Sequence, residues 1–183
     1  KHRIEYYINK GITPLAVAVA KGYTEIVKLL LSQQDIEFNC KDDCGWTPLL
    51  YAAYEGRTEI VRILLSKPNI EINCKSTKDY YHRDYFEYYD CKHACFRAGK
   101  ITPLTIASAK GYTEIVKLLL SQPDIEFNCK DDTGITPLIV AIANGHTEIV
   151  KLLLSQPDIE INCKDNIGWT PLIYAVYEGR TEL

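Results

Sequence analysis

The sequence lacks methionine and long apolar runs. None of its 183 residues is Met, so we expect Lys1 to lie inside a longer protein whose natural start is elsewhere. No apolar run reaches the roughly 18 residues that a membrane helix requires, and no apolar leader follows Lys1. We therefore expect no membrane insertion and no export, and we expect the chain to be cytoplasmic.

The sequence also has little net charge and no catalytic motif. Its 21 Lys and Arg residues against 24 Asp and Glu residues give a net charge of −3. Nucleic-acid-binding domains concentrate basic residues to neutralise phosphates, so we expect no nucleic-acid partner. The motifs G-x-G-x-x-G and G-x-S-x-G and the phosphate-binding loop are absent. We therefore expect no enzyme activity, no cofactor, no metal and no small-molecule substrate.

What the sequence does contain is one repeated unit. The pair Thr-Pro begins at residues 13, 47, 102, 136 and 170, with spacings of 34, 55, 34 and 34. A fixed period in this range is typical of stacked repeat proteins, and 55 is one period plus 21 inserted residues. The pattern predicts five units at about 10–40, 41–75, 99–129, 130–163 and 164–183, the last truncated, with an aromatic-rich insertion at 76–98.

The sequence of each unit predicts two helices followed by a hairpin-like loop, which we call the finger. Thr as the N-cap and Pro at the first helical position start the first helix, and a glycine such as Gly22 ends it. The second helix, TEIVKLLLSQ in the first unit, carries an apolar stripe that needs cover on two sides. The short alternation IEIN and a glycine turn then predict a β-hairpin-like finger.

The composite motif D-x-x-G-x-T-P-L, followed by G-x-T-E-I-V-K-L-L-L, resembles the ankyrin repeat over nearly the whole chain. The resemblance implies an all-α solenoid of paired antiparallel helices with short β-hairpin fingers. The NCKD-type units are also similar to the expanded ankyrin families of some parasitic protists. The usual His after Thr-Pro-Leu is missing, and apolar packing is expected to compensate for its hydrogen bond. The residues there are Ala16, Leu50, Thr105, Ile139 and Ile173.

The resemblance also implies a function and a surface. Ankyrin proteins usually bind a partner protein through a concave face made of finger tips and first helices, so we expect a protein-binding scaffold. Trp and Tyr often anchor interfaces, although these aromatics could instead pack against the next finger. The expected partner-binding residues are Trp46, Tyr54, Glu55, Ile101, Lys110, Ile135, Asn144, Trp169, Tyr177 and Glu178.

Two other roles stay open. The chain could be a structural spacer within a longer repeat array, or the interaction region of a larger protein with another domain outside this sequence. His146 occupies the position of Tyr23, Arg57, Tyr112 and Arg180 in the other units. A position that accepts such different side chains is expected at the surface, and His146 is not expected to act as a general base.

Cysteine placement predicts free thiols. Cys40, Cys74, Cys129 and Cys163 occupy one equivalent site in successive units. Stacked units hold such sites about 10 Å apart, beyond the roughly 7 Å between Cα atoms that a disulfide tolerates. We expect all seven cysteines to be reduced, as is usual in a cytosolic protein.

The insertion has seven aromatic residues, four of which, Tyr81, Tyr85, Tyr88 and Tyr89, share one helical face. An amphipathic helix docked on the repeats, a mobile loop and a partner-binding element are all compatible with this pattern. A zinc site is not expected, because structural zinc needs four converging ligands and this spacing does not bring them together. The residues considered for it are His82, Cys91, His93 and Cys95.

Overall fold

A computed structural model of the chain describes residues 11–77 and 100–180. These two ranges contain nine short α-helices. We number the units by helix pairs, so that α1 and α2 form the first unit and α9 belongs to the fifth. The helices are α1 Pro14–Lys21, α2 Thr24–Leu31, α3 Pro48–Tyr54, α4 Thr58–Leu65, α5 Pro103–Lys110, α6 Thr113–Leu120, α7 Pro137–Ala143, α8 Thr147–Leu154 and α9 Pro171–Tyr177.

The first helix of each unit starts as the sequence predicts. Thr47 has an extended backbone, and its hydroxyl accepts a hydrogen bond from the N–H of Leu50 at 3.3 Å. The same hydroxyl lies 3.1 Å from the Sγ of Cys74, one of the repeated cysteines. The other units show the same cap. The repeated cysteine therefore packs against the hydroxyl that starts the preceding first helix.

The helices form two parallel rows. The first helices α1, α3, α5, α7 and α9 each pack on the next, and the second helices α2, α4, α6 and α8 do the same. In α6 the stripe Ile115, Val116 and Leu119 is fully buried. The prediction that neighbouring units bury this stripe from both sides is thus confirmed for the inner units. At the end of the row, Ile26 of α2 is 48% exposed.

The predicted β-hairpin fingers are not found, because neither described range contains a strand. The N–H of Asp42 donates to the carbonyl oxygen of Trp46 at 3.1 Å. In a hairpin the N–H of Trp46 would donate back to the carbonyl oxygen of Asp42. Here it donates to a side chain instead: Asp42 Oδ1 accepts the N–H groups of Cys44 and Trp46, both at 2.8 Å. The aspartate oxygen takes the place of the backbone carbonyl, so the finger is a side-chain-closed turn.

The insertion leaves from the tip of one such finger. Ser76 occupies the place of Asp42, and its N–H donates to the carbonyl oxygen of Ile101 at 3.2 Å. The hydroxyl of Ser76 accepts the N–H of Ile101 at 3.2 Å, so the base of this finger is closed like the others. The four tyrosines of the predicted aromatic face and the four residues considered as zinc ligands lie in the insertion, outside the described residues.

Candidate interaction surface

The last residue or cap of each first helix occupies one equivalent position, and we call these five residues the helix-end row. Because the first helices pack side by side, the row runs along the whole array. Its charge changes from unit to unit, from positive to negative, positive, neutral and negative. The row consists of Lys21, Glu55, Lys110, Asn144 and Glu178.

The middle of the row holds interacting charges from three units. The Nζ atom of Lys110 lies 4.0 Å from the ring centroid of Tyr54, a cation–π contact across the second and third units. Burial raises the pKa of the Glu55 carboxyl, while the positive charges of Arg57, Lys110 and Lys21 act in the opposite direction. The charges of the first three units therefore interact along this row.

Two of the ten expected contact residues are core residues instead. Trp46 and Ile101 are each 1% exposed. The ring of Trp46 lies 5.2 Å from that of Tyr51 and 5.4 Å from that of Tyr54, measured between centroids. Trp46 is thus buried against aromatic side chains of its own unit and is not an accessible anchor.

The other expected residues keep accessible surface. Tyr177 is 72% exposed, and its ring centroid lies 5.1 Å from that of the half-buried Trp169. Tyr54, Glu55, Lys110, Ile135, Asn144 and Glu178 are also half-buried. The structure thus places an aromatic pair in the fifth unit and a row of mostly charged residues along all five units.

A family model described as ankyrin repeats (3 copies) matches residues 2–76 and 104–183. The chain belongs to the ankyrin repeat family. Ankyrin repeats are general protein–protein interaction modules. The comparison with curated proteins finds no match to this chain.

Sequence reasoning missed the side chains that join one ankyrin repeat to the next, and it misplaced His146. The Nε2 atom of His146 lies 3.0 Å from the carbonyl oxygen of Ala109, 37 residues earlier. Arg57 and Arg180 donate from Nη2 to carbonyl oxygens of the preceding repeats in the same way. His146 is therefore half-buried between repeats and caps the preceding first helix. The sequence signal for this contact was the glycine that directly precedes the position of His146 in every repeat.

A ladder of asparagines also joins successive ankyrin repeats. Asn39 donates from Nδ2 to the carbonyl oxygen of Asn69 at 2.8 Å and accepts the N–H of Glu71 at 3.0 Å. Asn73 and Asn128 make the same pair of bonds one and two repeats further on. The recurrence of Asn before every repeated cysteine was the signal for this ladder.

Among the described residues, no group of three or more His, Cys, Asp or Glu side chains could hold a metal ion. None of the helices in residues 11–77 and 100–180 is long and apolar enough to cross a membrane.

Proposed function

We propose that this chain is a scaffold that binds a partner protein through a concave face formed by the helix-end row and the finger tips. The family membership supports a protein partner in general. The specific surface is supported by the change of charge along the helix-end row. The caps and packing residues of the repeats recur, whereas the residue at this position differs in charge from repeat to repeat.

The proposed surface contains the accessible members of the expected set. Trp46 and Ile101 are buried and are not part of it. Alternating charges beside tyrosines suit a protein segment that carries both charge signs and apolar groups. The acidic members of the row disfavour a phosphate backbone. The proposed contact residues are Tyr54, Glu55, Lys110, Ile135, Asn144, Trp169, Tyr177 and Glu178.

The cellular setting is part of the same proposal. Reduced cysteines in a repeated site and a weakly acidic surface suit a cytoplasmic scaffold. The similarity to expanded ankyrin families of parasitic protists remains an expectation from the NCKD-type units.

The test compares two charge reversals in the same repeat. The partner is identified by affinity capture with the full chain, and its Kd is then measured with purified proteins. Lys110→Glu alters the helix-end row, whereas Lys117→Glu makes the same charge change on the exposed side of α6. We expect Lys110→Glu to raise the Kd at least tenfold, about 1.4 kcal/mol, and Lys117→Glu to change it less than threefold.

Circular dichroism of both variants should match that of the parent chain, since both residues retain solvent contact. Equal effects of the two reversals would contradict a surface at the helix-end row. A larger effect of Lys117→Glu would place binding on the second helices.

The alternative function is a structural spacer within a longer repeat array. A spacer without a lateral partner predicts that no captured protein responds to Lys110→Glu.

A further inference from the structure

In two repeats, a tyrosine and an aspartate tie the finger to the first helix. The phenol of Tyr51 donates to Asp42 Oδ2 at 2.6 Å in the second repeat, and the phenol of Tyr174 donates to Asp165 Oδ2 at 2.7 Å in the fifth. The other carboxylate oxygen, Oδ1, accepts the backbone N–H groups that close the turn. Each aspartate therefore divides its two oxygens between the finger backbone and a phenol.

The third and fourth repeats have no tyrosine at this helix position, and they differ at the finger. In the third repeat, Ile106 takes the place of the tyrosine and Ser76 takes the place of the aspartate. In the fourth repeat, Val140 replaces the tyrosine, but the aspartate, Asp131, is kept. The fourth repeat therefore has the acceptor of this hydrogen bond without its donor.

Asp131 uses only one of its two carboxylate oxygens. Its Oδ1 accepts the N–H groups of Thr133 and Ile135 at 2.8 and 2.9 Å, and the hydroxyl of Thr133 at 2.7 Å. Its Oδ2 has no hydrogen-bond partner in the described part of the chain, although the residue is only 7% exposed. A buried polar atom without a partner is costly, so a ligand that brings a donor to Oδ2 removes this cost.

The aromatic side chains that accompany the aspartate in the second repeat are also missing from the fourth. The ring of Tyr51 packs against that of Trp46, with 5.2 Å between the centroids. Ile135 and Val140 hold these two positions in the fourth repeat. What a ligand has to supply at the fourth repeat is therefore a donor carried on an aromatic ring.

We propose that Asp131 Oδ2 accepts a hydrogen bond from a tyrosine phenol of the partner protein, as Asp42 Oδ2 does from Tyr51. A phenol is favoured over a lysine because the chain itself uses a phenol at this acceptor in two repeats. Its ring can also pack on the aliphatic side chains of Ile135 and Val140. This assignment rests on the proposed function, since it names a group of the partner that the concave face receives.

Ile135 connects this acceptor to the accessible surface. It lies across the turn from Asp131: its N–H donates to Oδ1, and its carbonyl oxygen accepts the N–H of Asp131 at 3.0 Å. Ile135 is half-buried, whereas Trp46 at the same position is 1% exposed. The phenol is therefore admitted by a change of the Ile135 rotamer, a kind of movement that is common at interfaces.

The probe for this site is p-cresol, which is the side chain of tyrosine, and toluene is its match without the hydroxyl. Each is titrated into the full chain while amide proton–nitrogen correlation spectra are recorded. We expect p-cresol to shift the signals of residues 131–140 saturably and to bind at least tenfold more tightly than toluene. Butylammonium, which represents a lysine side chain, should also bind at least tenfold more weakly than p-cresol.

Two variants each change one member of the missing pair. Asp131→Ser copies the third repeat, where the hydroxyl of Ser76 accepts the N–H of Ile101 at 3.2 Å, so the turn should stay closed without the carboxylate. Val140→Tyr copies the second repeat and supplies an internal phenol. Both variants should weaken p-cresol binding at least tenfold. Val140→Tyr should also raise the midpoint of thermal unfolding, because its phenol pairs with Oδ2.

The control is Asp124→Ser, the same change at an exposed turn, which should bind p-cresol like the parent chain. Should Val140→Tyr lose its helical circular dichroism, Asp131→Ser decides alone. Three results overturn the proposal: no saturable shift with p-cresol, equal or tighter binding of toluene or butylammonium, and p-cresol binding that is unchanged in Asp131→Ser.

These titrations need no partner protein, so their outcome is separate from that of the proposed function. If no captured protein responds to Lys110→Glu, the helix-end row is contradicted, while p-cresol binding at Asp131 still stands or falls by itself. A captured partner that responds to Lys110→Glu but binds Val140→Tyr as tightly as the parent chain contradicts the phenol assignment alone.

Discussion

The phenol of Tyr51 donates a hydrogen bond of 2.6 Å to Asp42 Oδ2 and ties a finger to the first helix of its own repeat. Tyr174 and Asp165 repeat this pair at 2.7 Å in the fifth repeat. In the fourth repeat Val140 stands in place of the tyrosine. The finger there is held by the same aspartate turn, without the phenol.

The fourth repeat therefore contains a carboxylate oxygen, Asp131 Oδ2, that is buried without a hydrogen-bond partner. Burial raises the pKa of Asp131, while hydrogen bonds from Thr133 and Ile135 act against this rise. With its folded pKa above the unfolded value of about 3.9, the folded state binds the proton more tightly. The free energy of unfolding should then fall as the pH rises from about 4 through the folded pKa, by at most about 1.4 kcal/mol per pH unit.

Urea unfolding between pH 4 and pH 7 measures this fall. Asp131→Asn should reduce it, because this side chain no longer titrates, while Glu55, whose pKa burial also raises, keeps its own contribution. Asp124→Asn, the same change at an exposed turn, should preserve it. An unchanged pH profile in Asp131→Asn would show that the fall comes from other groups.

Trp46 and Trp169 occupy the same position but differ in burial. Trp46→Ala should lower the free energy of unfolding by about 3–5 kcal/mol, comparable to the 2–5 kcal/mol expected for Leu49→Ala, because both are 1% exposed. Trp169→Ala, at a half-buried site, should cost less than either. Denaturant titration of the three variants measures this order, and equal losses at both tryptophans would contradict it.

Glycine at the end of the first helix serves two purposes, which Gly111 and Gly179 separate. Both have a positive φ, 75° and 65°. A Cβ at Gly111 would lie 2.6 Å from the ring of His146, whereas one at Gly179 would meet nothing within 4 Å. Gly179→Ala should cost about 1 kcal/mol for the backbone conformation alone, and Gly111→Ala clearly more. Thermal unfolding checks the difference, and equal costs would show that His146 simply moves aside.

The insertion should be dispensable for folding. Ser76 and Ile101 close the finger as Asp131 and Ile135 do in the fourth repeat. Residues 77–100 can therefore be replaced by Asp-Thr-Gly, the tip of that finger. We expect cooperative unfolding and a gain of up to about 2 kcal/mol from the shorter loop, at roughly 0.6 kcal/mol per halving of its length. Loss of the cooperative transition would show that the insertion contributes to the core.

The cysteines should be reduced and unequal in reactivity. Cys40, Cys74, Cys129 and Cys163 are free thiols, while Cys91 and Cys95 lie outside the described residues. Burial raises the pKa of the Cys74 thiol to about 11, so iodoacetamide at pH 8 should label it far more slowly than the half-buried Cys44. Mass spectrometry of native and unfolded protein measures both rates. A disulfide between any two of the repeated cysteines would contradict the stacking.

Helix boundaries could be predicted from the sequence because their causes are local. The hydroxyl of Thr47 bonds to the N–H three residues later, and Gly22 takes a φ of 74° directly after its helix. The hairpin prediction was wrong because an alternating pattern does not reveal that the carboxylate of Asp42 replaces a backbone acceptor.

The period, the helix pairs and the family were determined by the sequence alone, since caps, glycine turns and apolar stripes act within a few residues. Only the tertiary structure decided which repeated side chains are accessible. Trp46 and Trp169 share the local sequence GWTPL, yet one is 1% exposed and the other is half-buried. The cap of His146 on Ala109 likewise spans 37 residues. Burial and inter-repeat contacts depend on the neighbouring repeat, and a single repeat carries no information about what is packed against it.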